Sequence, residues 1–410
     1  MDPSTEKLAS PAPANPRPPL PANVKLLGLT SLVNDIASEM IYPLLPDLLK
    51  GIMGVGYGQI AIVLGVIEGI AEAVSSILKL FAGSWSDRTG RRKSWIVTGY
   101  SMAAVARPLL GLVVLPWQVL ACRVGDRLGK GLRTSARDAV IAESTPPAIR
   151  GWAFGFHRAM DHLGAAIGPV IATLFLWCWP GHVQTLFMLT IIPGAVVVGI
   201  LFFGLREPPR SVVAAQPFVW SLAPFDRNFR LYLLSLAVFT LGNSSDLFLL
   251  ARSGQLGVPE ALLPIMWFVF HVAKSAGNMI VGRLVERVGA RRLIVAGWTA
   301  YAAVYLGFAL ASEAWHAWAL FMAYAVFYSL TEPPEKTLVA QLVPGERKGL
   351  AYGWYNFAIG VAAMPASVLF GFLYTQFGDY GALVAFSTGA GLALVATVLL
   401  LGVKHERHTG

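Results

Sequence analysis

The chain has 410 residues, of which 55% are hydrophobic and 13% charged, with a formal net charge of +9. A soluble domain carries about 25% charged residues, and even a large one buries only about 75% of the surface its unfolded chain exposes. A soluble enzyme, a disordered chain and a fibrous repeat are therefore excluded, and a polytopic membrane protein remains.

In chain order, residues 1–22 come first. Pro3, Pro11, Pro13, Pro16, Pro18, Pro19 and Pro21 crowd this stretch, which lacks the apolar core of a secretory signal. It is predicted to be a disordered tail. Twelve apolar runs follow, at 24–49, 58–82, 94–114, 116–142, 151–177, 183–205, 229–251, 260–284, 292–312, 315–341, 349–375 and 380–403. A helix needs about 20 apolar residues to cross a bilayer. The runs show no two-residue alternation, so helices are expected rather than a β-barrel. Cys122 and Cys178 both fall in apolar stretches and make no CxxC motif.

The longest internal break, 206–228, holds Pro208, Pro209, Pro217 and Pro224. It divides the chain into bundles at 23–205 and 229–403, with a short tail at 404–410. Loops on one side carry almost all the loop lysines and arginines, among them Arg88, Arg91, Arg92, Lys93, Arg287, Arg291 and Arg292, while the other side carries Lys50 and Arg252. By the positive-inside rule the basic loops, the linker and both termini are expected in the cytoplasm, and the chain in the cytoplasmic membrane. The surplus charge is then a topology signal, and no nucleic-acid partner is expected.

The two halves look duplicated. Gly83, Asp87, Arg88, Gly90, Arg91 and Arg92 recur as Gly282, Glu286, Arg287, Gly289, Ala290 and Arg291, 199 residues later. Pro146, Gly151, Ala153 and Gly155 recur as Pro344, Gly349, Ala351 and Gly353, 198 residues later. Two echoes at nearly one offset predict a repeated six-helix unit.

The loop after span 2, Gly83-x3-Asp87-Arg88-x-Gly90-Arg91-Arg92, resembles the signature loop of the major facilitator superfamily. That resemblance implies an all-helical fold of twelve transmembrane helices in two pseudo-symmetric six-helix bundles. It also assigns a conformational latch to Gly83, Asp87, Arg88, Gly90 and Arg91, with Glu286 as the second copy. Arg137, near the same end of span 4, is expected to snorkel to the surface or to pair with Asp87. Span 5 carries Gly155-x8-Gly164-x3-Gly168-Pro169, which is similar to a motif of proton-coupled exporters in the same superfamily. Small residues let helices pack closely, and Pro169 bends the span. The exporter motif continues with two glycines, where this chain has Ala172 and Thr173.

Charges inside spans are costly and usually functional. Span 4 holds Arg123, Asp126, Arg127, Lys130, Arg133 and Arg137 on one helical face, and Arg123 with Asp126 and Gly129 resembles the span-4 motif of the superfamily. Asp35 and Glu39 lie four apart on span 1, and Glu68 and Glu72 on span 2. His157, Arg158, Asp161 and His162 lie on span 5, Asp246 on span 7, and Glu332 and Glu335 on span 10. In the superfamily spans 1, 4, 7 and 10 line the central cavity. The resemblance therefore selects Asp35, Glu39, Arg123, Asp126, Arg127, Asp246 and Glu332 for proton coupling or substrate contact, with His157 and Asp161 beside them. Asp35 or Glu39 is the expected proton carrier, paired with span-4 arginines.

Other patterns compete. Gly125-x3-Gly129-Lys130 is too short for a phosphate loop. His157-x3-Asp161 matches a catalytic HxxxD spacing that is common by chance, so no enzyme is expected. His157, Met160, Asp161 and His162, with Asp35, Glu39 and Met40, could gather around a transition metal. No cofactor and no resident metal are expected. The expected function is secondary transport of a small molecule by alternating access, as proton-coupled efflux. The alternative is uptake or export of an anionic metabolite, a metal chelate or a metal ion. The expected partners are a small-molecule substrate, protons and the lipid bilayer, and the chain is expected to act as a monomer.

Overall fold

The computed structural model describes residues 18–54, 57–208, 221–244, 246–259 and 262–404. Most of the predicted tail, the middle of the linker with Pro209 and Pro217, and residues 405–410 lie outside the described residues. The described chain is helical. In order it forms α1 Ala22–Ile41, α2 Leu45–Met53, α3 Tyr57–Thr89, α4 Arg92–Leu109, α5 Pro116–Ser144, α6 Arg150–Cys178, α7 Val183–Leu189 and α8 Ile191–Gly204. After the linker come α9 Arg227–Gly242, α10 Leu247–Gln255, α11 Leu263–Val288, α12 Ala290–Leu310, α13 Ala314–Leu342, α14 Lys348–Gln376 and α15 Gly381–Leu401.

These fifteen helices make twelve spans, because spans 1, 6 and 7 are each built from two. The breaks have local causes. Span 1 ends its first helix at Ile41, turns through a short 3-10 segment at Tyr42–Leu44 and restarts at Leu45. Pro43 and Pro46 bring no amide hydrogen to that stretch, so the ladder is interrupted there. Span 7 breaks at Asn243, whose backbone is extended. The Ser244 hydroxyl meets Tyr305 Oη at 3.1 Å instead of a helical carbonyl. The turns at Gly90 and Gly289 need positive φ, 62° and 93°, which explains both glycines in the repeated loop.

Five helical stretches are long and apolar enough to cross a membrane by length and composition: Pro147–Cys178, Val183–Gly204, Ala290–Leu310, Lys348–Gln376 and Gly378–Leu401. Others, such as α3 and α5, have the length but carry the charges of the buried network. The chain is a multi-pass membrane protein of two six-helix bundles. Within the first half α1 packs on α6, and α3 and α4 pack on α5; in the second half α12 packs on α13 and α15. The halves meet where α3 lies against α14 and α6 against α11. These two seams are symmetry mates, which places the residues between them on a shared axis.

Candidate functional site

One end of the molecule, the end with the basic loops, is closed by a pair of matched contacts. Asp87, near the end of α3, accepts hydrogen bonds from the Gly349 and Leu350 amides at 3.0 and 2.7 Å. Those amides open α14, where unpaired N–H groups and the helix dipole favour a carboxylate. In the second half Glu286, near the end of α11, accepts from the Trp152 amide at 3.0 Å, in the first turn of α6. Gly349 and Leu350 stand 198 residues after Gly151 and Trp152, so the two caps are one device used twice. Gly83 sits against the Gly349 carbonyl, and a Cβ on Gly282 would lie 2.8 Å from the Gly151 carbonyl oxygen. Only glycine permits that approach.

The arginine beside Asp87 is Arg92, at 2.7 Å, which also reaches Glu143 at 2.6 Å. Arg137 is not its partner. Arg137 is buried and lies 3.4 Å from Asp138, which corrects the expectation that it snorkels or pairs with Asp87. Arg88, in the last turn of α3, and Arg91, in the turn that follows, are exposed.

Deeper in the first half the expected arginines form a network, but with different partners. Arg123 grips Glu68 through Nε at 2.6 Å and Nη2 at 2.8 Å, and lies 3.7 Å from Asp126. Arg127 lies 3.5 Å from Glu68 and 3.6 Å from Glu72, and Lys79 meets Glu72 at 3.1 Å. The span-4 arginines thus pair with span 2, because α5 packs along α3. The expected pairing with Asp35 and Glu39 is corrected on that ground.

Arg107 on α4 joins this network and was not selected by sequence. It reaches Asp126 at 2.9 Å and both the carbonyl and side-chain oxygens of Asn34 at 3.0 Å. A lone arginine inside an apolar span next to Pro108 is the signal that marks it. Removing one partner of a buried pair costs about 3–5 kcal/mol. Arg107→Leu should therefore destabilise the first half by that order, while Arg107→Lys should recover part of it. Thermal unfolding in detergent measures both.

Asp35 and Glu39 occupy the seam between α1 and α6. A Cβ on Gly164 would lie 3.0 Å from the Asp35 Cβ, and one on Gly168 would lie 3.0 Å from the Glu39 Cβ. Gly155 serves a different helix: its Cβ would lie 2.6 Å from the Gly282 Cα on α11. Pro169 lies inside α6, immediately after Gly168. Asp35 accepts from the Asn34 amide group at 2.8 Å, and Glu39 from Ser38 Oγ at 3.4 Å. Among the described residues neither has a lysine, arginine or histidine nitrogen within 4.0 Å.

Between the halves, Arg158 of α6 bridges Asp161 at 2.9 Å and Glu332 of α13 at 2.6 Å. His162 and Asn278 also hold Glu332, at 2.7 and 3.0 Å. Ser31 donates to Asp161. His157 is fully buried, 3.7 Å from Asp161, and neither ring nitrogen has a hydrogen-bond partner. A second bridge joins Lys336 to Asp138 at 2.6 Å. These two residues are separated by the repeat offset of 198, so the pair spans the axis between equivalent positions. Asp246 does not face the arginines; it accepts from Tyr324 at 2.8 Å and Tyr328 at 3.1 Å. Among the described residues no group of three or more His, Cys, Asp and Glu side chains is arranged to hold a metal ion. His162 turns to Glu332 and His157 to Asp161, so the postulated metal cluster is divided.

Comparison with known proteins gives the arrangement a context. A family model described as the Major Facilitator Superfamily matches residues 27–273 and 233–410. An uncharacterised MFS-type transporter of Methanocaldococcus jannaschii is 30% identical over 388 residues, covering 93% of this chain and 95% of the relative. The multidrug resistance protein MdtH of Photorhabdus laumondii is 28% identical over 188 residues, 44% of each chain. The human organic anion transporter MFSD10 superposes with a TM-score of 0.76 over 94% of this chain and 100% of its own, at 18% identity. At that identity the likeness concerns the fold.

Proposed function

The chain belongs to the major facilitator superfamily, and on that premise we propose that this transporter of small solutes is a proton-coupled exporter working by alternating access. In this reading it lies in the cytoplasmic membrane as a monomer, with the basic loops and both termini in the cytoplasm. The closed end is then the cytoplasmic end, and Asp87 and Glu286 are latches that hold it shut.

One observation carries the coupling. Glu68, Glu72, Asp126, Asp138 and Asp161 each meet a cationic side chain within 4.0 Å. Asp35 and Glu39, on the seam built by the span-5 glycines, do not; nor do Asp246 and Glu335, but Tyr324 and Tyr328 hold the first and Trp298 and Tyr355 the second. A carboxylate in a partly dehydrated site without a counter-ion is the group best able to take up and release a proton near neutral pH. A proton arriving at Asp35 or Glu39 competes with bound substrate, and its release on the other side resets the site.

Two supports favour efflux: the span-5 glycine pattern and the partial match to MdtH. The anionic alternative drew on the basic stripe of span 4. Arg123 and Arg127, the two deepest arginines of that stripe, are engaged by Glu68, Glu72 and Asp126 and so are not free to receive an anion. Everted membrane vesicles carrying the protein, acidified inside, test the proposal. Addition of an exported solute should discharge the pH gradient, read with acridine orange. Solute movement that leaves the gradient untouched would overturn proton coupling.

A further inference from the structure

Lys274 is the feature that the coupling scheme leaves unexplained. It lies in the middle of α11 and is 4% exposed. Its ammonium stands 3.4 Å from the centroid of the Tyr328 ring and 4.9 Å from that of Phe270. Among the described residues no carboxylate oxygen lies within 4.0 Å of it. Of the other buried lysines, Lys79 and Lys336 are bonded to carboxylates at 3.1 and 2.6 Å, whereas Lys348, at the start of α14, has none within 4.0 Å among the described residues and no aromatic ring beneath it.

The surroundings are acidic at one remove. The hydroxyl of Tyr328, the ring beneath Lys274, donates to Asp246. Asn278, one turn along α11 from Lys274, holds Glu332. Both carboxylates are occupied by other donors, so neither closes on the lysine. Within this cluster Asp161, Glu332 and Asp246 outnumber Arg158 and Lys274 by one. Without Lys274 the excess would be two. Such a field repels an anion and attracts a cation. Aromatic faces with acids behind them are the recognition chemistry of organic ammonium groups.

We propose that Lys274 is a tethered cation standing in an ammonium-binding cage of Tyr328 and Phe270 backed by Asp246 and Glu332, and that the solute class is an organic cation whose ammonium displaces it. This rests on the exporter reading and names the class that reading leaves open. Displacement of the lysine makes the cage selective for charge, because a neutral solute of the same shape has nothing to offer the rings in exchange.

The test uses the purified full chain and three matched probes: benzyltrimethylammonium, its neutral carbon analogue neopentylbenzene, and benzylsulfonate. Binding is read by calorimetry. Lys274→Met removes the competitor, so it should bind the cation at least tenfold more tightly than the unmodified chain. Tyr328→Leu should weaken cation binding at least fivefold in both backgrounds, and Tyr328→Phe, which keeps the ring, should not. The neutral and anionic probes should show no such pattern. Opposite signs from two substitutions in one site are not produced by misfolding. If Lys274→Met does not purify as a monodisperse protein, the Leu and Phe variants of Tyr328 decide the matter alone. The proposal is overturned by unchanged or weaker cation binding in Lys274→Met, by unchanged binding in Tyr328→Leu, by no cation binding in any form, or by sulfonate binding that depends on Lys274. Transport separates the two readings. Tightened binding without export of the cation from vesicles leaves the cage standing and removes the exporter.

Discussion

Replacing Asp87 by Asn and Glu286 by Gln together should open the basic end of the molecule. Spin labels at Ser94 and Arg292, one on each half at that end, should report a longer separation in pulsed electron resonance, with Cys122 and Cys178 replaced by serine. The reason is electrostatic. Asp87 takes two backbone amides of α14 and the Arg92 guanidinium, and Glu286 takes one amide of α6. Hydrogen bonds to a charged group contribute about 1.5–3 kcal/mol each. Losing the charge at both caps removes enough to raise the open population at least tenfold, since about 1.4 kcal/mol is a factor of ten. The Asp138–Lys336 and Arg158–Glu332 bridges remain, so the shift should be incomplete. An unchanged distance distribution would make the two carboxylates topology signals and no more.

The second large effect concerns Asp35 and Glu39. The double substitution Asp35→Asn, Glu39→Gln should reduce transport driven by an imposed pH gradient at least tenfold. It should leave the melting temperature close to that of the unmodified chain, because neither carboxylate is in an ion pair whose loss would strand a buried charge. That combination separates them from Asp126 or Glu68, where substitution strands an arginine and lowers stability. Full transport by the double variant would move the coupling role to another acid, with Asp246 and Glu335 the first candidates because among the described residues neither has a cationic side chain within 4.0 Å.

The sequence was informative about spans and much less so about partners. Span ends follow from apolar length and proline or glycine chemistry, so Pro116, Gly90 and Gly289 fall where helices begin or turn. The caps were legible because their residues repeat at nearly one offset, 199 for Asp87 and Glu286 and 198 for Gly151 and Gly349. Partnering across a bundle depends on which helices are neighbours, and a helical wheel carries no such information. The wheel groups the span-4 charges on one face, but only the packing of α5 on α3 and α4 decides that Arg123 meets Glu68 rather than Asp35 and that Asp126 meets Arg107.

The repeat also hides an asymmetry. Arg107 and Asp126 stand 198 residues before Tyr305 and Tyr324. In the first half the pair is ionic and holds Asn34, whereas in the second it is aromatic and holds Ser244. Lys130 likewise corresponds to Tyr328. One scaffold thus carries an ionic network in its first half and a tyrosine cluster in its second, which suits a division between ion handling and solute contact. Residue identity shows the difference, but its meaning emerges only when both sets are seen to fill the same position in their halves.

The most direct test of proton-coupled alternating access is the pH inside proteoliposomes when a transported solute is added outside. The account predicts that solute entry is matched by an outward movement of protons, a rise in internal pH read with trapped pyranine, and that both vanish in Asp35→Asn, Glu39→Gln. Solute entry with no change in internal pH, or a full response in the double variant, would contradict it.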